Sequence, residues 1–152
     1  MKSPWQQFRY KSNCYPLKSM RANQFLSLLQ DPYLEVKLSG CRLLCVMERT
    51  SDKSSYRMTL ASSASLNGAL ARNLTHQQKR VRVAAVEALE RLLCATASSE
   101  TFTAAVPHLA QRHFDPMPEV RLAVCRLAAR LMREWECRAS QFPLLVPLLV
   151  TG

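Results

Sequence analysis

The side chains that could carry out chemistry are few in this chain and widely spaced. Of the three histidines, only His108 and His113 lie near each other. Their spacing places them on different faces of a helix, which does not suit a shared metal ion. Glu134 and Glu136 lie near a predicted helix end, and no predicted pocket isolates them as an acid–base pair. The sequence also lacks phosphate-binding, dinucleotide-binding, zinc-protease and serine-hydrolase motifs. We therefore predict that the chain is not an enzyme and that it has no catalytic, cofactor-binding or metal site.

The six cysteines do not have the spacing of a zinc or redox site, because no two are separated by two residues. Cys41, Cys94 and Cys125 fall inside helical apolar patterns, where a reduced cysteine packs as a small hydrophobic residue. Reduced cysteines are typical of a reducing compartment.

Three arginines form the candidate binding feature of the sequence. Arg126, Arg130 and Arg133 recur at i, i+4 and i+7, which places them on one face of a helix. One interpretation is a contact face for an acidic partner, because the planar guanidinium pairs carboxylates at two points. The other is a helix face that lies in water, and the sequence leaves both open.

The chain carries a net charge of +10, and residues 1–21 hold five cations without an acid. This basic segment interleaves aromatic residues with cations, which could stack on nucleic-acid bases. Alternatively, it is a poorly ordered terminus or part of an incomplete repeat. The longest apolar run, residues 142–150, contains nine residues and two prolines, whereas a membrane span needs about 20. We expect neither a membrane segment nor a secretory signal, and no nucleic-acid partner.

A similar phrase occurs three times in the sequence, at residues 31–45, 76–90 and 115–129. Each phrase is a turn, a valine followed by a cation, and an apolar helical pattern. In the second and third phrases this pattern predicts buried helix stripes, formed by Val81, Ala84, Ala85, Ala88, Leu89 and Leu92, and by Val120, Ala123, Val124, Leu127, Ala128 and Leu131. When the three phrases are aligned, Val36, Val81 and Val120 occupy the same position, at spacings of 45 and 39 residues. A period near 40 with two helices per unit is typical of HEAT and armadillo repeats. The sequence therefore predicts an all-α HEAT/armadillo-type α-solenoid, a superhelix of stacked helical hairpins.

The predicted organisation is an irregular basic segment at 1–21 and a solenoid at 22–152. The predicted units span about 22–49, 56–95 and 102–137, with a partial unit at 140–152. The second helices are expected near 34–48, 79–94 and 119–135, and an unpaired last helix near 142–150. Loops are expected at 50–55 and 96–101. Because the last unit is incomplete, we expect a fragment of a longer array.

Charged residues recur at fixed positions in the repeats. An aspartate in the turn can cap the second helix and pair with the cation after the valine, or with its neighbour in the stack. Asp31 with Lys37, and Asp115 with Arg121, fit this pattern, and the cation is expected to point outward.

The middle repeat departs from the pattern, because His76 takes the place of the aspartate and Thr75 is the alternative cap. Further along the second helices, the alignment predicts that Glu87 lies between Arg42 and Arg126.

Three phrases carry a resemblance to a known family: DPYLEVKL at 31–38, THQQKRVRVAAVEA at 75–88 and HLAQRHFDPMPEVR at 108–121. From about residue 25 to 149 the chain resembles the HEAT-repeat dynein axonemal assembly factors, the fifth group of the factors so named. The resemblance implies a cytoplasmic, non-enzymatic scaffold for the preassembly of outer and inner dynein arms of motile cilia. It implies dynein intermediate chains and other assembly factors or chaperones as partners. It transfers no site residue.

Two other functions stay open at this point. The repeats also fit a generic HEAT adaptor, such as a transport receptor or a phosphatase scaffold. The basic N-terminal segment is compatible with nucleic-acid binding, which would weaken steeply with salt.

Overall fold

The computed structural model describes residues 21–47, 63–95 and 99–135, which form six helices and no strand. In chain order these helices are α1 (Ala22–Leu29), α2 (Leu34–Met47), α3 (Ala64–Asn73), α4 (Lys79–Ala95), α5 (Ser99–Arg112) and α6 (Pro118–Trp135). The loop predicted at 50–55, the last helix predicted at 142–150 and most of the basic segment lie outside these residues.

The six helices pack as three consecutive hairpins, here called unit 1 (α1 and α2), unit 2 (α3 and α4) and unit 3 (α5 and α6). The second helices pack side by side, α2 against α4 and α4 against α6, and the first helices pack in the same order. The predicted all-α repeat solenoid is therefore confirmed. Throughout the described residues, no helix is long and apolar enough to cross a bilayer.

Local sequence sets the helix ends. The Ser63 hydroxyl accepts the Leu66 N–H at 3.3 Å and caps α3, whereas residues 56–62, predicted to begin this helix, lie outside the described part. The helix α5 begins at Ser99, so the loop predicted at 96–101 is wrong for its last three residues.

The core follows the predicted stripes of the second helices. On α4 the buried stripe consists of Val81, Ala84, Ala85, Ala88, Leu89 and Leu92. On α6 it consists of Val120, Ala123, Val124, Leu127, Ala128 and Leu131. All twelve positions were predicted from the 3.6-residue period and are confirmed. Burying one leucine or valine side chain stabilises the fold by about 1.5–3 kcal/mol, so this core outweighs the surface ion pairs described below.

Unit 1 contains a close approach of its two helices. A Cβ placed on Gly40 of α2 would lie 2.9 Å from the Cβ of Leu28, at the end of α1. Only a glycine permits this spacing without a shift of the backbone. Gly68 in α3, in contrast, has open space where a Cβ would stand.

Candidate partner-binding cleft and inter-repeat contacts

The predicted arginine stripe lies on α6. Arg126 and Arg133 are exposed, whereas Arg130 is half-buried. The Arg130 Nη1 atom donates to the Glu90 Oε1 atom of α4 at 3.0 Å. The three arginines thus differ: Arg130 is part of the contact between units 2 and 3, and the other two lie in water.

A cleft of about 430 Å³ runs along this stripe, and its walls come mainly from α4 and α6. Its lining residues are Cys45, Glu87, Glu90, Arg91, Ala123, Arg126, Arg130 and Arg133. Four guanidinium groups against two carboxylates give the cleft an excess of positive charge. Such a surface can bind carboxylates of a partner through two-point hydrogen bonds.

Arg91 and Glu90 also line the cleft, although they were not predicted to belong to the site. The sequence does contain a pattern that could have predicted the position of Glu90. Glu90 and Arg130 carry opposite charges and lie 40 residues apart, close to one repeat period. Opposite charges at that spacing indicate neighbours on adjacent second helices.

Glu87 lies where the repeat alignment placed it. It lines the cleft that contains Arg126 and also a second groove of about 320 Å³ that contains Arg42. Glu87 therefore separates two basic positions along the second helices.

Other charged residues join the second helices directly. The exposed or half-buried pairs are Glu35–Arg80 at 3.3 Å, Lys79–Glu119 at 2.7 Å and Glu90–Arg130 at 3.0 Å. The hydrogen bond from Lys79 lowers the pKa of Glu119 below its usual value. Exposed pairs stabilise a fold only slightly because water screens their charges, so these contacts mainly fix the register of the stack.

A buried ion pair joins units 2 and 3. Arg82 donates from Nε to Asp115 Oδ2 at 2.9 Å and from Nη2 to Asp115 Oδ1 at 3.0 Å. The exposed fraction of the two side chains is 9% and 0%. Arg112 Nη1 adds a third contact to Asp115 Oδ2 at 3.1 Å. Burial by itself would raise the pKa of Asp115, but hydrogen bonds from Arg82 and the Met117 N–H, with the charges of both arginines, lower it overall.

The cation that pairs with Asp115 is therefore Arg82 of the neighbouring unit in the stack. The alternative that Asp115 pairs with Arg121 of its own unit is wrong, because Arg121 Nη1 donates to the main-chain oxygen of Asp115 at 2.6 Å. In unit 1, Lys37 Nζ donates to the main-chain oxygen of Leu29 at 3.0 Å, so the predicted Asp31–Lys37 pair is also wrong. Arg82 is buried, which corrects the expectation that this cation points outward.

The three turn residues do not cap the second helices as predicted. Each closes a turn directly ahead of its helix, because the N–H that it accepts belongs to the residue before the helix. Asp31 accepts the Tyr33 N–H at 2.8 Å, His76 Nδ1 accepts the Gln78 N–H at 3.0 Å, and Asp115 accepts the Met117 N–H at 2.9 Å. Thr75 is not the alternative cap, because its hydroxyl donates to the Arg72 carbonyl oxygen at 2.8 Å. A neutral imidazole thus replaces the carboxylate as the acceptor.

Within the described residues, the contact between units 1 and 2 contains no buried ion pair, since its turn residue is His76 rather than an aspartate. Burial, followed by the charges of Lys37 and Arg82, lowers the pKa of His76 below its usual value. The side-chain amide of Asn73 donates to the Leu29 oxygen at 3.3 Å, which joins α3 to the end of α1. The two contacts between units are therefore held by different interactions, a buried ion pair in one and neutral hydrogen-bonding groups in the other.

The cysteines differ in environment. Cys41 is buried, and desolvation followed by the charges of Cys45 and Glu87 raises the pKa of its thiol to about 12. Cys94 is half-buried, but Cys125 is exposed. Cys125, expected to pack as a small hydrophobic residue, is instead exposed, because no further helix among the described residues covers its face of α6. Over the ranges that the structure describes, no group of three potential ligands surrounds a metal position.

The described helices form a repeat α-solenoid, and the cleft gives it a positively charged surface. A family model described as "Dynein axonemal assembly factor 5-like, TPR repeats" matches residues 19–152, and the chain belongs to this family. That description names tetratricopeptide repeats, whose period is 34 residues, while the spacings of 45 and 39 residues here are closer to the HEAT length.

The curated relatives that match are each named "Dynein axonemal assembly factor 5". The mouse protein is 31% identical over 124 residues and the human protein 30%, with 82% of this chain covered in both. The Xenopus laevis protein is 29% identical over 133 residues, or 84% of this chain. The chain spans about 14% of the length of the mouse and human relatives. No solved structure matches the chain significantly.

Proposed function

We propose that the chain is a non-enzymatic scaffold segment in the cytoplasmic preassembly of axonemal outer and inner dynein arms for motile cilia. Its membership in the assembly-factor family is the observation that carries this proposal. The solenoid fold supports it, because stacked hairpins form extended surfaces for binding proteins. Other assembly factors or chaperones are further partners in this proposal.

The proposed contact surface is the cleft with Arg126, Arg130 and Arg133. Arg126 and Arg133 are exposed, so they can meet a partner without a change in the fold. The partner segment should be acidic, because arginines outnumber glutamates in the cleft lining. We assign this role to an acidic segment of a dynein intermediate chain.

The test is a pull-down of purified dynein intermediate chain by the 152-residue protein. Arg126→Glu with Arg133→Glu should reduce the recovered intermediate chain strongly. This double variant leaves the Arg130–Glu90 pair intact, so helicity and melting temperature should not change. The triple variant that adds Arg130→Glu should bind no better and should also melt earlier.

The matched control is Arg42→Glu, an exposed arginine at the same repeat position as Arg126 but in the second groove. It should bind as wild type does. Equal recovery by the double variant and wild type would remove the cleft from the proposal. Recovery of no dynein subunit by wild type would contradict the dynein assignment and favour a generic adaptor.

A further inference from the structure

The second groove, which contains Arg42, lies between α2 and α4 and has a volume of about 320 Å³. Its lining residues are Leu38, Arg42, Lys79, Arg80, Val83, Ala84, Glu87 and Glu119. A groove of this size, at the lower end of the range for binding sites, holds a few side chains of a partner. The helices α2 and α4 are neighbours inside the stack. A further unit at either end would pack on the other side of α2 or on α6, so it would leave this groove open.

The floor of the second groove is apolar. Leu38 of α2 and Ala84 of α4 are only 3% and 9% exposed, and Val83 of α4 is half-buried. The second helices run parallel, and the repeat alignment gives Leu38 and Val83 the same position, so these two side chains lie at one level of the groove. An apolar side chain of a partner would remove this surface from water and is therefore favoured over a polar one.

The charges at one end of the groove already pair with each other. Lys79 pairs with Glu119 at 2.7 Å, and Arg80 pairs with Glu35 at 3.3 Å. Both cations belong to the first turn of α4, so these pairs close the amino-terminal end of the groove with compensated charge. A partner therefore gains little from a charged group placed at this end.

Arg42 and Glu87 carry opposite charges on the two walls of the groove. They lie one helical turn beyond Leu38 and Val83, and both are exposed. Within the part of the chain that the structure describes, neither side chain is in ion-pair contact. Glu87 stays exposed although α2 and α6 flank its helix on both sides, so stacking of units does not cover this position. The groove thus offers a partner one positive and one negative group above an apolar floor.

We propose that this groove binds a helix of a protein partner. An apolar side chain of that helix lies on Leu38 and Val83. One turn further along, an acidic residue pairs with Arg42 and a basic residue pairs with Glu87. A helix fits because its ridge of side chains packs into the groove between two others. On a helix, the third and fourth residues after the apolar one lie one turn on, to either side of it. The partner motif is therefore an apolar residue, two residues of any type, and then one acidic and one basic residue. This site is independent of the arginine cleft and of the dynein assignment.

Designed peptides test the proposal. The first is an alanine-rich peptide of about 16 residues, long enough to form a helix in water, with the central motif Leu-Ala-Ala-Glu-Lys. The second exchanges the order of glutamate and lysine, and the third replaces the leucine by alanine. Amide chemical shifts of the 152-residue protein, followed during titration to millimolar peptide, should change at Leu38, Arg42, Val83 and Glu87 and not at Arg133. One order of the charges should bind about tenfold more tightly than the other, because the wrong order brings like charges together. The third peptide should cause no shift.

Variants of the protein assign the contact to its residues. Arg42→Glu should weaken binding of the preferred peptide about tenfold, and a peptide with lysine at both charged positions should bind this variant more tightly than it binds wild type. Arg126→Glu with Arg133→Glu is the control, because it alters only the arginine cleft and should bind the peptide as wild type does. The absence of shifts, equal affinity for the leucine and alanine peptides, or an unchanged affinity of Arg42→Glu would each overturn the proposal. Normal peptide binding by a protein that recovers no dynein subunit would contradict the dynein assignment alone.

Discussion

The carboxylate of Asp115 accepts hydrogen bonds from Nε and Nη2 of Arg82, a residue of the preceding unit. The Asp115 side chain is fully buried in this contact, so water does not reach the carboxylate. The two residues lie 33 positions apart in sequence. The pair therefore acts between units rather than within one, and it stabilises their order in the stack.

Replacing Arg82 by methionine should destabilise the protein by about 3 kcal/mol, because a buried carboxylate then loses its main partner. Arg112 remains within 3.1 Å of Asp115 and limits the loss. Urea unfolding followed by circular dichroism measures the effect. Arg80→Met is the matched control, since its pair with Glu35 is exposed and should contribute less than about 1 kcal/mol. Equal losses in the two variants would contradict the special role of the buried pair.

The stability contributed by Asp115 should depend on pH in one direction. Its pKa is lower in the folded chain than the ordinary value of 3.8. The stabilisation is therefore fully present above the unfolded-state pKa and is lost as the pH falls through the folded-state pKa. Asp115→Asn should be much less stable than wild type at pH 7 and the difference should shrink below about pH 4. A constant difference in unfolding free energy between the two proteins across this pH range would show that the charge of Asp115 does not cause the stabilisation.

His76→Asp should stabilise the contact between units 1 and 2. An aspartate keeps an acceptor for the Gln78 N–H and adds a negative charge. That charge would lie near Lys37 and Arg82, whose positive charges are, next to burial, the causes of the lowered pKa of His76. The expected gain at pH 7 is about 1 kcal/mol in unfolding free energy. His76→Asn is the control, because it offers the acceptor without the charge. A gain of the same size in both variants would attribute the effect to the acceptor alone.

The two glycines should respond oppositely to alanine. Gly40→Ala places a Cβ 2.9 Å from the Cβ of Leu28, so α1 and α2 must separate and the melting temperature should fall. Gly68→Ala meets no atom within 4 Å and should stabilise the protein by about 0.5–1 kcal/mol, since it reduces the entropy of the unfolded chain. Thermal melts of the two variants decide this. A fall for both would indicate that α3 is packed more closely than described.

Ala85→Glu should unfold the protein. Ala85 is fully buried in the middle unit, and a glutamate there would bring an unpaired charge into the core. The control is Ala104→Glu on α5, where the alanine is exposed and the substitution should have little effect. Far-ultraviolet circular dichroism at neutral pH distinguishes them. A folded Ala85→Glu variant with a wild-type melt would contradict the assignment of the α4 faces.

The apolar stripes of α4 and α6 could be predicted from the sequence because their positions follow the helical period closely. The partner of Asp115 could not be assigned. The repeated phrase fixes the position of each cation in its unit but leaves open which side of the unit a long side chain reaches. The exposure of Cys125 was not predictable either, since the same position is buried in α2 as Cys41. Whether it is buried depends on what stacks on α6, and no local pattern encodes that.

The unequal contacts between units also have a mechanical consequence. Under tension along its axis, every contact in a stack carries the same force, so the contact with the lowest stiffness extends most. Units 2 and 3 are clamped by a buried ion pair, whereas units 1 and 2 meet at a neutral histidine. The protein therefore resembles two springs of different stiffness in series, with the compliant one nearer the amino terminus.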